Sequence, residues 1–467
     1  MKKKHLVIVG VIILSAIVIL GLYQTFALSG DITKDTSGYY NVTVTDGTTV
    51  TVPAGSTKTV YYKLTNTNKG IVKYGIGYSG TNITVKYYND TQDPVTGTVD
   101  YGKSKFIKLF VQNSGTVSST ATLSTILGYK NGGDLIVPSG VTLVTEKKSP
   151  LSSYITNLYN NATKTAVINN SITYQYDTTH SLMKDIGGNI RYYGAKPNNY
   201  IYFNCSDYSN QSSSTCETWR IVGVFDGKVK IIRGSRIGSY SWDSSASDVN
   251  SGKGVNEWSQ ADLMKLLNSG YDSESVGGSL YWNAKRGTCF SGQNNATTSC
   301  DFTSTGLKNV ATRNMIAETT YYTRGHDSNS IFVDAMYDKE RVNGTVYDST
   351  RTTTWTGKVA IPYPSDYGYA ADLSLCQKQL ESYNDTTCTA NNWMKNILAP
   401  NHGWVLTPSS GNAYYAWNVV SSGRVGNYYN GAFNSYGVAP VLSLNSELSI
   451  KAGTGTGSSS TPYQLSV

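Results

Sequence analysis

Charge is scarce in this chain: only 15% of its 467 residues are Asp, Glu, Lys or Arg, and hydrophobic residues reach just 39%. That balance excludes a coiled coil, a charge-driven disordered chain and a multi-span membrane protein. Proline is also limited, at 11 residues with no Gly-X-Y period, which excludes collagen. After the first four residues no Lys/Arg run exceeds the pair Lys147-Lys148, so the formal charge of +8 is diffuse and argues against a nucleic-acid partner. Histidine is confined to His5, His180, His326 and His402, and no HExxH, GxSxG, P-loop or EF-hand pattern is present. An enzyme is therefore not expected, although His402 beside Gly403 and Trp404 is the one candidate general base. What is abundant is Gly (45) and Tyr (37), the composition of a polar, loop-rich chain with much β structure.

Lys2, Lys3 and Lys4 precede an uncharged run from Leu6 to Leu22, an export signal. As a helix this run spans about 25 Å, enough for a tilted membrane crossing. The reading preferred is an uncleaved transmembrane signal anchor over residues 1–28, giving a single-pass cell-membrane protein with its C-terminal part outside. Thr25-Phe26-Ala27 is an acceptable cleavage site, so a cleaved signal and a secreted protein stay open. The six cysteines fall as three close pairs, Cys205/Cys216, Cys289/Cys300 and Cys376/Cys388, with no CxxC spacing. Several connectivities are open, the local one is the simplest, and structural disulfides suit an exported protein better than a metal site.

All eight Trp lie after residue 218, so two different domains are expected. Residues 29–146 alternate as short strands (40–44, 60–64, 83–87, 106–111 and 121–126) between Gly/Asn/Asp turns. This predicts an immunoglobulin-like β-sandwich acting as a spacer. Residues 147–185 read as a short helix, with Ser149 as N-cap and Pro150 at its first position, followed by a polar linker. Residues 186–467 read as a mixed domain. Trp219–Phe225 and Lys228–Ile232 flank the two-residue turn Asp226-Gly227, Ser259-x-x-Asp262 opens a helix, and further short helices are expected at 307–317 and 391–398. Strands return at 404–406, 415–420 and 437–444. The fold class expected is α+β.

The stretches Asn199–Cys205, Trp219–Val224, Glu257–Leu263, Asp366–Ala370, Asn392-Trp393, Trp404–Pro408 and Gly437–Val441 resemble a family of uncharacterised extracellular domains on surface proteins of gut-dwelling Gram-positive bacteria. That family is similar to the C-type-lectin-like fold of formylglycine-generating-enzyme-like proteins and of the variable proteins of diversity-generating retroelements. The resemblance covers residues 186–467 and implies a C-type-lectin-like mixed domain with short helices and long loops. One departure is Ala439, where the family usually carries Arg in its Gly-Val-x-Pro-Val strand. The reactive cysteine pair of the formylglycine-generating relatives has no counterpart, because every Cys here has a near partner.

Residues 409–436 carry the strongest binding signal: 19 of these 28 residues are Ser, Gly, Asn or Tyr. Tyr offers large contact area at low entropic cost and Ser, Gly and Asn offer adaptable hydrogen bonding, as in antibody paratopes and sugar sites. The candidate ligand-binding residues are Asn412, Tyr414, Tyr415, Trp417, Arg424, Asn427, Tyr428, Tyr429, Asn430, Phe433, Asn434 and Tyr436, with Trp417 also a candidate for the core. If the resemblance holds, retroelement-diversified relatives vary this segment. No cofactor is required. Calcium at loop carboxylates Asp366, Asp372 and Asp385 stays open by fold analogy. The function expected is an adhesin or lectin for an external glycan or protein ligand, joined to the membrane by the N-terminal helix. The alternative is a structural or self-assembling envelope protein.

Overall fold

The computed structural model of the chain describes residues 26–34, 40–44, 49–67, 71–88, 93, 95–127, 135, 137–147, 150–244, 249–293, 295–427, 430–451 and 454–466. They form two compact units that divide between Ser149 and Pro150.

The first unit is a β-sandwich, and its cause is alternation. Along the strand Thr57–Asn66 every second residue from Val60 is buried, since successive side chains point to opposite faces. This strand pairs antiparallel with Ser104–Asn113, from Thr57↔Gln112 to Thr65↔Ser104. The pair sits within a six-stranded sheet in the order 146–147, 83–88, 104–113, 57–66, 26–34, 40–44. A second sheet runs 142–143, 72–79, 119–127, 49–52, with 96–99 added beside 72–79. Val52, Leu64, Tyr74, Val85, Leu109 and Leu123 bring both sheets into one core. All five strands expected here are present, and the architecture is compatible with an immunoglobulin-like domain.

The second unit is built on a ten-stranded sheet. Its main path is 165–169, 172–177, 182–184, 190–192, 217–225, 228–233, 441–444, 316–317, with 200–203 joined to 217–225 and 359–360 to 441–444. The expected hairpin is formed: Phe225 pairs with Lys228, and both turn residues have positive φ, Asp226 at 48° and Gly227 at 74°. Such a turn matches the twist of the strands it joins. The hairpin is apolar on both faces because both are covered. Trp219, Ile221 and Ile231 enter one core with the helices Leu151–Asn161 and Asp262–Leu267. Val222 and Ile232 enter another, with the helices Val333–Asp338 and Pro364–Tyr369. A five-stranded sheet in the order 238–240, 436–438, 403–408, 416–419, 425–426 completes the unit. The three close cysteine pairs are bonded to one another: Cys205–Cys216, Cys289–Cys300 and Cys376–Cys388.

The α+β expectation is corrected. Strand accounts for 38% of the structure and helix for 15%, so the chain is mostly β. Its helices are short, and the start expected at Ser259 is corrected: Ser259 lies in the turn Trp258–Gln260, and the helix Asp262–Leu267 has Ala261 at its N-cap with no side-chain cap. The transmembrane helix expected over 1–28 lies outside the described residues up to residue 25, and Phe26–Lys34 is a strand. No described helix is long and apolar enough to cross a membrane. The stretch read as a linker also folds: Thr165–Asn169 and Ile172–Asp177 pair across Asn170-Ser171, which take φ of 48° and 65°. Pro150 stands at the N-cap rather than the first helical position.

Candidate functional site

The segment 409–436 does not form one pocket. Trp417 is fully buried, donates its indole N–H to the His326 carbonyl at 2.8 Å and stacks on the His326 ring, so it is core. Asn427 is buried and ties its loop down, donating from its backbone N–H to Asn329 and from Nδ2 to the Asp327 carboxylate and carbonyl. Asn412 closes a local turn, its Oδ1 accepting from the N–H groups of Tyr414 and Tyr415. Arg424, Phe433 and Asn434 are half-buried, and Tyr428 and Tyr429 lie outside the described residues.

Two small aromatic groups remain. Tyr414 and Tyr415 meet edge to face at 4.8 Å, with Lys253 Nζ 4.9 Å from the Tyr414 ring centroid. Tyr436 packs on Trp404 and His402, and its hydroxyl donates to Asn430 Oδ1 at 3.0 Å. Asn430 Nδ2 and Asn418 Oδ1 are buried beside this group without partners among the described residues. His402 faces the Asn418 amide at 3.3 Å, and burial, then Arg236, pushes its imidazole below the ordinary range. No carboxylate pairs with it among the described residues, so an acid–base constellation is not assembled there.

A cleft with a volume of about 1060 Å³ lies elsewhere. Its walls are residues 195–200, the start of the strand Glu217–Phe225, the turn 233–235, residues 389–397 and the tip 458–459. None of the ten described candidate residues lines it. Arg220 forms its charged centre. Alternation along the strand puts Trp219 and Ile221 in one core and turns Arg220 to the other face, at the end where that core stops. Tyr200 is its direct antiparallel partner, so ring and guanidinium share a face. The guanidinium carbon lies 3.7 Å from the Tyr200 ring centroid and 4.7 Å from that of Trp393. Arg220 Nε donates to Asn199 Oδ1 at 2.5 Å, while Nη2 reaches the Pro197 carbonyl only at 3.5 Å. Arg220 is 7% exposed. Burial pushes it down to about 10, and the only opposing influence is Tyr200.

The walls are stapled. Phe203 pairs with Glu217, and the Cys205–Cys216 bridge closes the loop between those two strands. The Cys376–Cys388 bridge holds the chain just before 389–397, where Trp393 donates to the Tyr192 carbonyl and Asn392 to that of Tyr367. Glu217, the one carboxylate in the lining, is held through Oε2 by Arg233 at 2.9 Å and by the Trp219 indole, while its Oε1 is buried without a partner among the described residues.

No family model and no curated protein matches this chain.

A second concentration of charge is closed and structural. Asp366 accepts from Arg191 at 2.8 Å, from Lys230 and from the Tyr363 N–H, and Arg191 also pairs with Asp185. Burial alone would raise Asp366; Lys230, Arg191 and Arg341 outweigh it and hold the carboxyl well below the ordinary range. Burial lowers Lys230 to about 8. This hub ties the helix Pro364–Tyr369 to the strands Ile190–Tyr192 and Lys228–Arg233, so Asp366 is not a loop ligand for calcium. Asp372 and Asp385 cap local turns, at Ser374 and at Thr387. Among the described residues no group of three or more His, Cys, Asp or Glu is placed to hold a metal.

Sequence reasoning passed over Arg220, Tyr200 and Trp393 as functional residues. The available signal was a charged residue inside Trp219–Phe225, a strand otherwise apolar enough to be buried on both faces.

Proposed function

We propose that this chain is an exported surface protein whose second unit captures a polar extracellular ligand, a glycan, and does not turn it over. One observation carries the reading: a preformed cleft of about 1060 Å³, stapled by disulfides and lined by amides, hydroxyls and an aromatic-flanked arginine. Its size suits an oligosaccharide, and its donors and acceptors suit hydroxyl groups. Three disulfides support an oxidising, extracellular setting. The similarity of residues 186–467 to bacterial surface domains points the same way. Binding is favoured over catalysis because no histidine lines the cleft and Glu217 is already held by Arg233.

The test is a glycan array probed with the full-length protein and with Asn396→Trp. Asn396 is exposed on the cleft wall, so the indole fills the opening without entering a core. Glycan binding by the parent and at least a tenfold loss in the variant, at unchanged stability, is the expected result. Binding that survives the plug, or silence across the array with self-association of the protein, would overturn the reading in favour of an envelope assembly.

A further inference from the structure

We infer that Arg220 is a docking point for the carboxylate of an acidic saccharide. The inference rests on the cleft being the binding site and adds the chemical class of its ligand.

Arg220 is the odd member among the buried cations of the second unit. Arg191 has Asp185 and Asp366, Lys230 has Asp366 and Arg233 has Glu217. Arg220 has no carboxylate partner among the described residues, although it is as deeply buried as Arg233. A buried charge without a counter-ion is unfavourable unless something else meets it. Here the faces of Tyr200 and Trp393 meet the planar sides of the guanidinium, and Asn199 meets its Nε. Beyond an interaction with the Tyr200 hydroxyl, the terminal nitrogens have a 3.5 Å contact to Pro197, too long to count as a full hydrogen bond. The fork is thus fixed in orientation and open for paired donation, the geometry that receives a carboxylate through two parallel hydrogen bonds.

The surroundings agree in sign. Lys196 and Lys395 stand on the same lining with no acidic partner among the described residues, whereas Glu217 is neutralised by Arg233. The Arg220 guanidinium supplies the paired donors that a uronate carboxylate takes, and Lys196 and Lys395 add positive charge around it. The cleft volume of about 1060 Å³ exceeds what a lone anion fills, so the charge belongs to a larger polar molecule.

The experiment is calorimetric titration of the full-length protein with a uronic-acid oligosaccharide and with its carboxyl-reduced neutral counterpart. Inorganic phosphate and sulfate are titrated in separate arms. The parent is expected to bind the acidic form at least tenfold more tightly than the neutral form. Arg220→Met, which keeps a similar apolar stem between the two rings, should abolish the preference for the acidic form over the neutral one. If Arg220→Met does not fold, Lys196→Gln with Lys395→Gln gives the second readout: these half-exposed or exposed positions should lower acidic binding about threefold to tenfold and flatten its salt dependence. Equal affinity for acidic and neutral forms, both lost in Asn396→Trp, would overturn the carboxylate inference and keep the cleft reading. Acidic binding untouched by Asn396→Trp would overturn both. Displacement of the saccharide by phosphate but not by free uronate would overturn the carboxylate assignment in favour of a phosphate site.

Discussion

Replacing Asp262 by Asn should stabilise the second unit at alkaline pH and leave it nearly unchanged at acidic pH. Asp262 opens the helix Asp262–Leu267, and its Oδ2 accepts from the Ser244 N–H at 3.2 Å. Its own N–H donates to Asp243 Oδ1, so two carboxyl groups share one small, half-buried space. Burial first and the Asp243 charge second push the Asp262 carboxyl up to about 7. One pKa step corresponds to about 1.4 kcal/mol, so ionising a carboxyl raised this far from its ordinary value near 4 takes up to about 4 kcal/mol from the folded state. Because the folded form holds its proton to higher pH than the unfolded form, the contribution is fully present below about pH 4 and is lost as pH rises through about 7. His326 and His402 act in the opposite direction. Burial, assisted by Lys339 and Arg236 respectively, pushes both imidazoles below their ordinary range, so their contribution rises with pH near 6. They are common to parent and variant, and the difference between the two proteins cancels them. Asn keeps an acceptor for Ser244 and turns a donor toward Asp243. All eight Trp lie in the second unit, so urea unfolding followed by Trp fluorescence reports on that unit alone. The variant should gain little at about pH 4, about 1 kcal/mol at about pH 5 and about 2–4 kcal/mol at about pH 8. A difference that is flat with pH, or a variant less stable at about pH 8, would refute the coupling of the two carboxyls.

Asp366→Asn leaves Arg191 and Lys230 facing each other without their shared anion and should cost about 3–5 kcal/mol in the same urea assay; a loss below about 1 kcal/mol would show that the hub is dispensable. Cys289→Ser with Cys300→Ser opens a loop of sequence separation 11 and should cost about 3 kcal/mol, while glycan binding persists because that bridge belongs to neither wall of the cleft. Trp417→Ala should lower stability by about 3–5 kcal/mol; normal stability with lost ligand binding would return Trp417 to a binding face.

Much of the fold was readable because its signals are local. The strand Thr57–Asn66 announces itself by alternation, Asp226-Gly227 announces a hairpin, and cysteines 11 or 12 positions apart close their own loops. Signals that depend on distant partners were misread. The run 165–177 is rich in Thr and Asn and looks like a linker, yet Tyr174 and Tyr176 are buried in a core that residues near 331–397 complete. The turn Asn170-Ser171 is the positive-φ junction of that hairpin, a weaker signal than Asn-Gly. Capping residues marked only the neighbourhood of helix starts: Ser259 lies three residues before the helix that opens at Asp262, and neither that helix nor Leu151–Asn161 has a side-chain cap.

The Asn- and Tyr-rich segment was the least faithful guide, for a physical reason. A domain with long irregular loops must satisfy backbone groups that no strand or helix partner reaches, and side-chain amides do that work. Asn256 donates to the carbonyls of Ser409 and Asn412, Asn268 binds both the carbonyl and the N–H of Val359, and Asn427 anchors its loop to Asp327. Tyrosine likewise serves the core, with Tyr174, Tyr176, Tyr192 and Tyr281 among the largest fully buried side chains. Abundance of these residues therefore measures how much loop the domain has to hold, and it reports on a ligand only where an amide is left unused. A charged residue in a strand buried on both faces carries more information, because burial makes its isolation costly and the other fully buried cations among the described residues of the unit, Arg191, Lys230 and Arg233, each have an acid. By that criterion Arg220, one residue in an apolar strand, outweighs the whole of 409–436 as a pointer to function.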